Sequence, residues 1–380
     1  MDGADARALR HVFGIDRTSS QIDSFSKFHY DRSFEPLPPP TGTYPFHLDL
    51  GSVFGLDAVK RIADGGKLVF HAVGDTGQRS HGAEAQESVA YHMEQQLRPA
   101  KDDERPAFFY HLGDVVYYNG ERDRYEGQFY EPYLHYTGPI FAIPGNHDGS
   151  TVPGGDSSLR GFVENFCASQ PQHTWMAGHS NRTTMIQPNV YWTLKTPLAT
   201  MIGIYSNVPG LLDRGHPLQE DWLTAELKAA KNEKCVIVSV HHPPYSLDDT
   251  HGGHKLIQDA LDRAFHASGR IPTAIFAAHV HNYQRFERVF QHGHEHPVPY
   301  VVAGAGGFAG YTKLHQLKAG VHPPKGVKLV AHDTKLPGFL RVTITRSSLA
   351  AEYFTVPAPP HHLDPKHPAV RVDNFEIPLG

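Results

Sequence analysis

From Lys67 onward the chain alternates short apolar runs with longer amphipathic ones. KLVFHAV, AFFYHL, IFAI, ATMIGIYS, KCVIVSV, TAIFAA and VPYVVAGA are rich in β-branched and aromatic residues and are bounded by Gly, Pro, Asp or Asn, as buried strands are. Between several of them lie helical patterns, GAEAQESVAYHMEQQLR, RDRYEGQFYEPYLHY, PLQEDWLTAELKAAKNE and HKLIQDALDRAFHA. Strands alternating with helices predict an α/β domain with largely parallel strands. Near the end, GFLRVTITRSSLAAEYFTV reads as two antiparallel strands joined at Arg346-Ser347-Ser348. The pattern therefore places the main folded domain over residues 67–355. It is preceded by an N-terminal extension with a proline-rich linker (1–66) and followed by a Pro- and His-rich tail (356–380). Residues 149–189 and 307–337 lack periodicity. Loops of that length in a compact domain are usually functional or disordered, and both follow a strand end, which puts them on one rim.

Composition narrows the class. Charged residues at 20% and hydrophobic ones at 39% describe a soluble globular chain, and a net charge of −5 gives no reason to expect nucleic acid as a partner. No stretch has the length and apolarity of a transmembrane helix. The N-terminus lacks the apolar segment of a secretory signal, so the cytoplasm is the default location, or a secreted or periplasmic one if a leader has been removed. Two cysteines, Cys167 and Cys235, are too few for a disulfide framework, although the sequence leaves a single pairing open. The 28 histidines change the picture, because imidazole is both a frequent metal ligand and the side chain that titrates near neutrality. Many read as packing or surface residues, among them His11, His29 and His92, and the C-terminal His361, His362 and His367 read as solvated.

Five short segments carry the chemistry: GDTG, GDVVY, GNHD, VSVHH and AHVH, each directly after a strand pattern. In α/β sheets ligands gather at the carboxyl ends of strands, so such segments converge whatever their separation in sequence. They contain Asp75, Asp114, Tyr117, Asn146, His241, His279 and His281. Two carboxylates with imidazoles and an amide suit first-row divalent or trivalent ions better than a soft thiolate site. A phenol is neutral at working pH unless a strongly charged ion holds it as phenolate, so Tyr117 favours Fe³⁺. Tyr118 is its rival, facing the opposite side if the segment stays extended. Asp148 and His242 read as residues that orient ligands by hydrogen bonds. His173, Trp175 and His179 could line the rim of the site.

The chain resembles the calcineurin-like metallophosphoesterases, and among them the purple acid phosphatases, over residues 67–310. The superfamily's first motif is usually D-x-H; here Gly77 stands in the histidine's place and Tyr117 in G-D-x-x-Y supplies the missing ligand, the exchange typical of that subgroup. Ala278 stands where members usually have glycine. The resemblance implies a four-layer α/β/β/α sandwich of two mixed sheets. It also implies Fe³⁺ held by Asp75, Tyr117 and His281, with Asp114 bridging. A second divalent ion (Zn²⁺, Fe²⁺ or Mn²⁺) would be held by Asn146, His241 and His279. His147 and His251 correspond to the substrate-facing histidines, with His254 a further candidate; a solvated loop position is the alternative for His251 and His254. The function implied is hydrolysis of small phosphomonoesters by a hydroxide at the metals. Alternatives are a phosphodiesterase acting on cyclic nucleotides or lipid head groups, and a silent scaffold that docks partners through its metal face.

Overall fold

The computed structural model describes residues 36–77, 83–98, 101–150, 155–208, 217–290 and 296–380. The expectations for residues 1–35, with His11 and His29, lie outside them. The strands form two mixed sheets. The first holds, in spatial order, β1 (His47–Asp49), β5 (Trp192–Lys195), β6 (Thr200–Ile204), β7 (Val236–Val240), β8 (Ala274–Ala277), β10 (Val298–Ala303), β9 (Tyr283–Arg288) and β11 (Val327–Asp333). The second holds β14 (Val370–Pro378), β13 (Ser348–Thr355), β12 (Gly338–Thr345), β2 (Lys67–Val73), β3 (Phe108–His111) and β4 (Ile140–Ala142).

Parallel pairing links β6, β7, β8 and β10 in one sheet, and β2, β3 and the edge strand β4 in the other. Their residues are buried and mostly apolar on both faces, as a strand covered on both sides requires. The sheets face each other through aromatic pairs. Trp192 packs on Tyr110 and Phe141, with ring centroids 6.1 and 5.7 Å away, and Tyr283 stacks on Tyr353 at 3.8 Å. The outer layers are helical. Helices α1 (Gly51–Phe54), α2 (Leu56–Gly65) and α3 (Ala83–Gln95) precede α4 (Arg160–Phe166), α5 (Pro217–Ala229) and α6 (Lys255–Ser268). Helices α2 and α3 contact β2 and β12, and α5 contacts β6 and α6. The four layers implied by the resemblance are present.

Several sequence boundaries move. Residues 46–65 belong to the folded body rather than to a draped extension: β1 pairs in parallel with β5, and Phe46, Leu48 and Leu50 are buried. A strand of three residues is too short to show a period. Residues 370–378 are not a tail but the edge strand β14, paired with β13. Mostly exposed, it lacks the apolar run that marks inner strands. Asp373 on β14 accepts hydrogen bonds from Arg285 (2.7 and 3.0 Å) and Tyr283 (2.7 Å), tying the second sheet to the first. The 122–136 pattern gives short helical turns rather than one α-helix, and the aperiodic segments contain α4 and β11. Cys167 and Cys235 are buried and unpaired.

Candidate metal centre

The carboxyl ends of β2, β3 and β4 meet those of β7 and β8 at one edge of the sandwich, and all five motifs converge there. Five non-glycine residues among those described have positive φ, and three of them are Asp75 (56°), Asp114 (55°) and His279 (67°). Such backbone costs of order 1–3 kcal/mol per residue and concentrates at functional sites. The turns also need close backbone approach. A Cβ on Gly145 would lie 2.0 Å from the Asp114 Oδ1, and one on Gly113 would lie 2.6 Å from the His241 Nδ1.

The donors fall into two groups. In the first, the Tyr117 hydroxyl donates to Asp75 Oδ1 (3.0 Å), and His281 Nε2 lies 3.5 Å from both oxygens. In the second, His241 Nε2 lies 3.2 Å from Asn146 Oδ1 and 3.3 Å from Asp114 Oδ2, and His279 brings a ring nitrogen within 4.8 Å of the Asp114 and His241 donors. Backbone amides hold the carboxylates from behind: His279 N–H donates to Asp75 Oδ2 (2.7 Å) and His147 N–H to Asp114 Oδ1 (2.8 Å). His241 Nδ1–H donates to the Leu112 carbonyl (2.9 Å), which turns Nε2 toward the site.

These residues fit cations. His279 Nε2 is buried with no hydrogen-bond partner among the described residues, a costly arrangement unless something else satisfies it, and Asp114 Oδ2 faces the His241 Nε2 that it shares with Asn146. The side chains taken alone balance their charges with protons. Desolvation raises Asp75 well above the usual carboxylate range, with Asp114 adding to the shift against His241. Burial works against a charged His241, but the Asp114 carboxylate beside it carries the imidazole up to about 9. Burial, then Asp114 and Asp75, push the Tyr117 phenol far up. A bound cation would displace the protons on His241 and Tyr117.

Around this pair of donor groups the other expected residues take distinct places. Asp148 accepts from the amides of Gly145 (2.8 Å), Val115 (3.0 Å) and Val116 (3.2 Å), bracing two motif loops against each other. His147 packs on Tyr117 with ring centroids 4.3 Å apart and the planes tilted by 43°, and its Nδ1–H donates to the Tyr118 carbonyl at 2.7 Å. Tyr118 thus contributes a carbonyl, while the Tyr117 hydroxyl reaches Asp75. His251 and His254 are buried, not solvated. The His251 ring lies 4.4 Å from His279. His242, His254 and His279 each bring a ring nitrogen within 4.8 Å of the others; both nitrogens of His254 lack a hydrogen-bond partner among the described residues. His242 is held through Nδ1 by Ser206 (2.7 Å). His173, Trp175 and His179 are exposed, and the Arg122 guanidinium lies 5.8 Å from the Trp175 ring.

Three residues outside the motifs complete the site. Phe308 stacks on Tyr117 at 3.7 Å. His315 packs on His281 (4.4 Å) and His251 (4.9 Å), with Nδ1 2.7 Å from Asp248 Oδ2. Asp248 Oδ1 accepts from the His251 amide at 2.5 Å. Phe308 and His315 come from the aperiodic 307–337 segment. Histidines were the only available signal there, and nothing in the sequence separates His315 from His322 and His332.

The sequence model of the calcineurin-like phosphoesterase family matches residues 68–283. The chain belongs to that family. Its members are metal-dependent hydrolases acting on phosphoester bonds. Human tartrate-resistant acid phosphatase type 5 is similar at 24% identity over 319 residues, covering 77% of this chain and 89% of the human one. Among solved structures, purple acid phosphatase PPD1 from yellow lupin (Lupinus luteus) seeds superposes with a TM-score of 0.54 at 15% identity, covering 82% of this chain and 54% of the lupin one. GAP50, described as the anchor in the inner membrane complex of Plasmodium, superposes with a TM-score of 0.53 at 14% identity, covering 83% and 89%. At such identities the two superpositions show the family's fold alone.

Proposed function

We propose that this family member hydrolyses phosphomonoesters at a dinuclear metal centre of the purple acid phosphatase kind. The observation that carries the reading is the convergence of two buried donor groups, with Asp114 Oδ2 beside His241 Nε2 and with His279 Nε2 left without a hydrogen-bond partner among the described residues. Asp75, Tyr117 and His281 would hold Fe³⁺; Asn146, His241 and His279 would hold a divalent Zn²⁺, Fe²⁺ or Mn²⁺; Asp114 would serve both. When bound, such ions polarise phosphoryl oxygens and acidify water.

The protein's own groups do the rest. His147 Nδ1–H is committed to the Tyr118 carbonyl, so the proton it can pass to a leaving alkoxide is the one on Nε2, and it must be imidazolium to carry both. General acid catalysis of this kind contributes typically ~10²–10⁴-fold. His251, held at its amide by Asp248 and flanked by His279 and His315, is the second candidate acid. The Phe308–Tyr117 stack closes one wall and keeps the phenol out of bulk water.

Turnover of a chromogenic phosphomonoester and the corresponding diester, each with and without chelator, tests the reading. Monoester turnover that chelator abolishes and added metal restores is expected. Turnover of the diester alone would overturn the substrate class. Metal-loaded protein inert to both would favour a docking role for this face.

A further inference from the structure

The connection between β13 and β14, Pro357-Ala-Pro-Pro-His-His-Leu-Asp-Pro-Lys-His-Pro-Ala369, shares no residue with the metal centre. We propose that His361, Asp364 and His367 in this connection form a second, surface site for a borderline divalent cation such as Zn²⁺ or Cu²⁺. The H-x-x-D-x-x-H spacing is realised by consecutive three-residue turns. The amide of His361 donates to the Ala358 carbonyl (3.0 Å), that of Asp364 to His361 (3.1 Å) and that of His367 to Asp364 (2.9 Å). These bonds put His361, Asp364 and His367 at equivalent positions of successive turns.

Side-chain geometry follows from that. The His361 and His367 rings stack at 3.9 Å with an interplanar angle of 22°. Their Nδ1 atoms lie 4.0 and 3.0 Å from the same oxygen, Asp364 Oδ2. One donor atom from each residue lies within 4.8 Å of the others. A tetrahedral Zn²⁺ with bonds of about 2.0–2.1 Å separates its ligands by about 3.3 Å, a value between the two observed separations. Two imidazoles and one carboxylate select Zn²⁺, Cu²⁺ or Ni²⁺ over Mg²⁺ and Ca²⁺. The exposed side leaves room for water to complete the shell.

The connection is also stiff, which limits what ordering a bound ion would cost. Five of its thirteen residues are proline, each with φ fixed by its ring. Its root is pinned to the body. Ser88 Oγ on α3 donates to the His362 carbonyl (2.9 Å) and the Pro357 carbonyl (3.3 Å), and the Tyr311 hydroxyl donates to Pro357 (2.7 Å). The competing account is a local ion pair, in which Asp364 accepts from the Lys366 amide (2.9 Å) and from His367. In that account His361, 4.0 Å from the same oxygen, adds only a longer ion pair.

The test is calorimetric titration of the full chain with Zn²⁺, in wild type, His361→Ala, His367→Ala and the double variant. The difference between wild type and the double variant does not depend on how many ions the rest of the chain takes. Wild type is expected to bind one equivalent more than the double variant. Each single variant should weaken that equivalent by at least ~10–100-fold, the loss seen when even an outer partner of a ligand is removed. Copper EPR of wild type against the double variant should show nitrogen coupling from two imidazoles in the additional signal. Phosphatase turnover and thermal midpoint without added Zn²⁺ should match in all four proteins. Equal stoichiometry in wild type and double variant, or an additional copper signal without imidazole nitrogen, overturns the site.

Discussion

His71 offers a clean electrostatic test of the core. It lies on β2, fully buried, with the Phe339 ring edge-on at 5.2 Å. Its Nε2 is 3.1 Å from Gln96 Oε1 and its Nδ1 is 3.1 Å from the Tyr136 hydroxyl. The amide oxygen can only accept, so Nε2 carries the hydrogen and Nδ1 accepts from tyrosine: the neutral ring is fully satisfied. Burial lowers its pKa from 6.5 to about 3, the Gln96 hydrogen bond opposing and Arg341 assisting. Below pH 6.5 the unfolded chain therefore gains a proton that the folded chain refuses until near pH 3. Stability present at neutral pH is lost progressively as the pH falls through that window. At about 1.36 kcal/mol per unit, the loss attributable to His71 between pH 7 and 5 is about 2 kcal/mol. His71→Gln removes the titration and keeps a partner for Gln96. Urea denaturation of both proteins at pH 7 and 5 should show wild type losing about 2 kcal/mol more than the variant. Protonation of His92 and His111, and any acid release of metals, cancels in that difference. Equal losses would refute the buried neutral tautomer.

Other substitutions probe the site itself. His147→Ala should keep the metals but lower turnover by ~10²–10⁴-fold, measured by steady-state kinetics, with a smaller loss on an activated phenol that needs no proton. Tyr117→Phe should lose the visible phenolate-to-iron band and hold ferric iron less tightly, whereas Tyr118→Phe should keep the band; absorption spectra of the iron-loaded proteins decide. His315→Ala should retain metals yet lower turnover by up to ~10²-fold, the scale of a small misplacement of a reacting group. His315→Gln, which can still reach Asp248, should recover part of it.

The centre was legible because its residues are local to strong signals. Asp75, Asp114, Asn146, His241, His279 and His281 each follow an apolar run within a few residues, so strand ends alone place them together. The β12–β13 hairpin was legible for the same reason: alternating side chains on both sides of a polar turn. What was hidden depends on tertiary contact. β1 is three residues long and acquires its identity only from β5, and β14 is an exposed edge strand held by Arg285 and Tyr283. His251 and His254 are flanked by glycine, threonine and lysine and look like surface residues, yet they are buried against His279 and other imidazoles. His315 and Phe308 come from a segment with no period, where only a folded chain reveals what a side chain touches.

The central claim is two ions held by residues from both sheets, one of them iron beside Tyr117. Anomalous diffraction from crystals of the protein purified with its native metals, recorded on both sides of the iron edge, tests it most directly. The account predicts two peaks roughly 3.5–4 Å apart. The iron-specific one should lie among Asp75, Tyr117 and His281, the other among Asn146, His241 and His279, with Asp114 touching both. A single peak, or an iron peak not bonded to Tyr117, would contradict it.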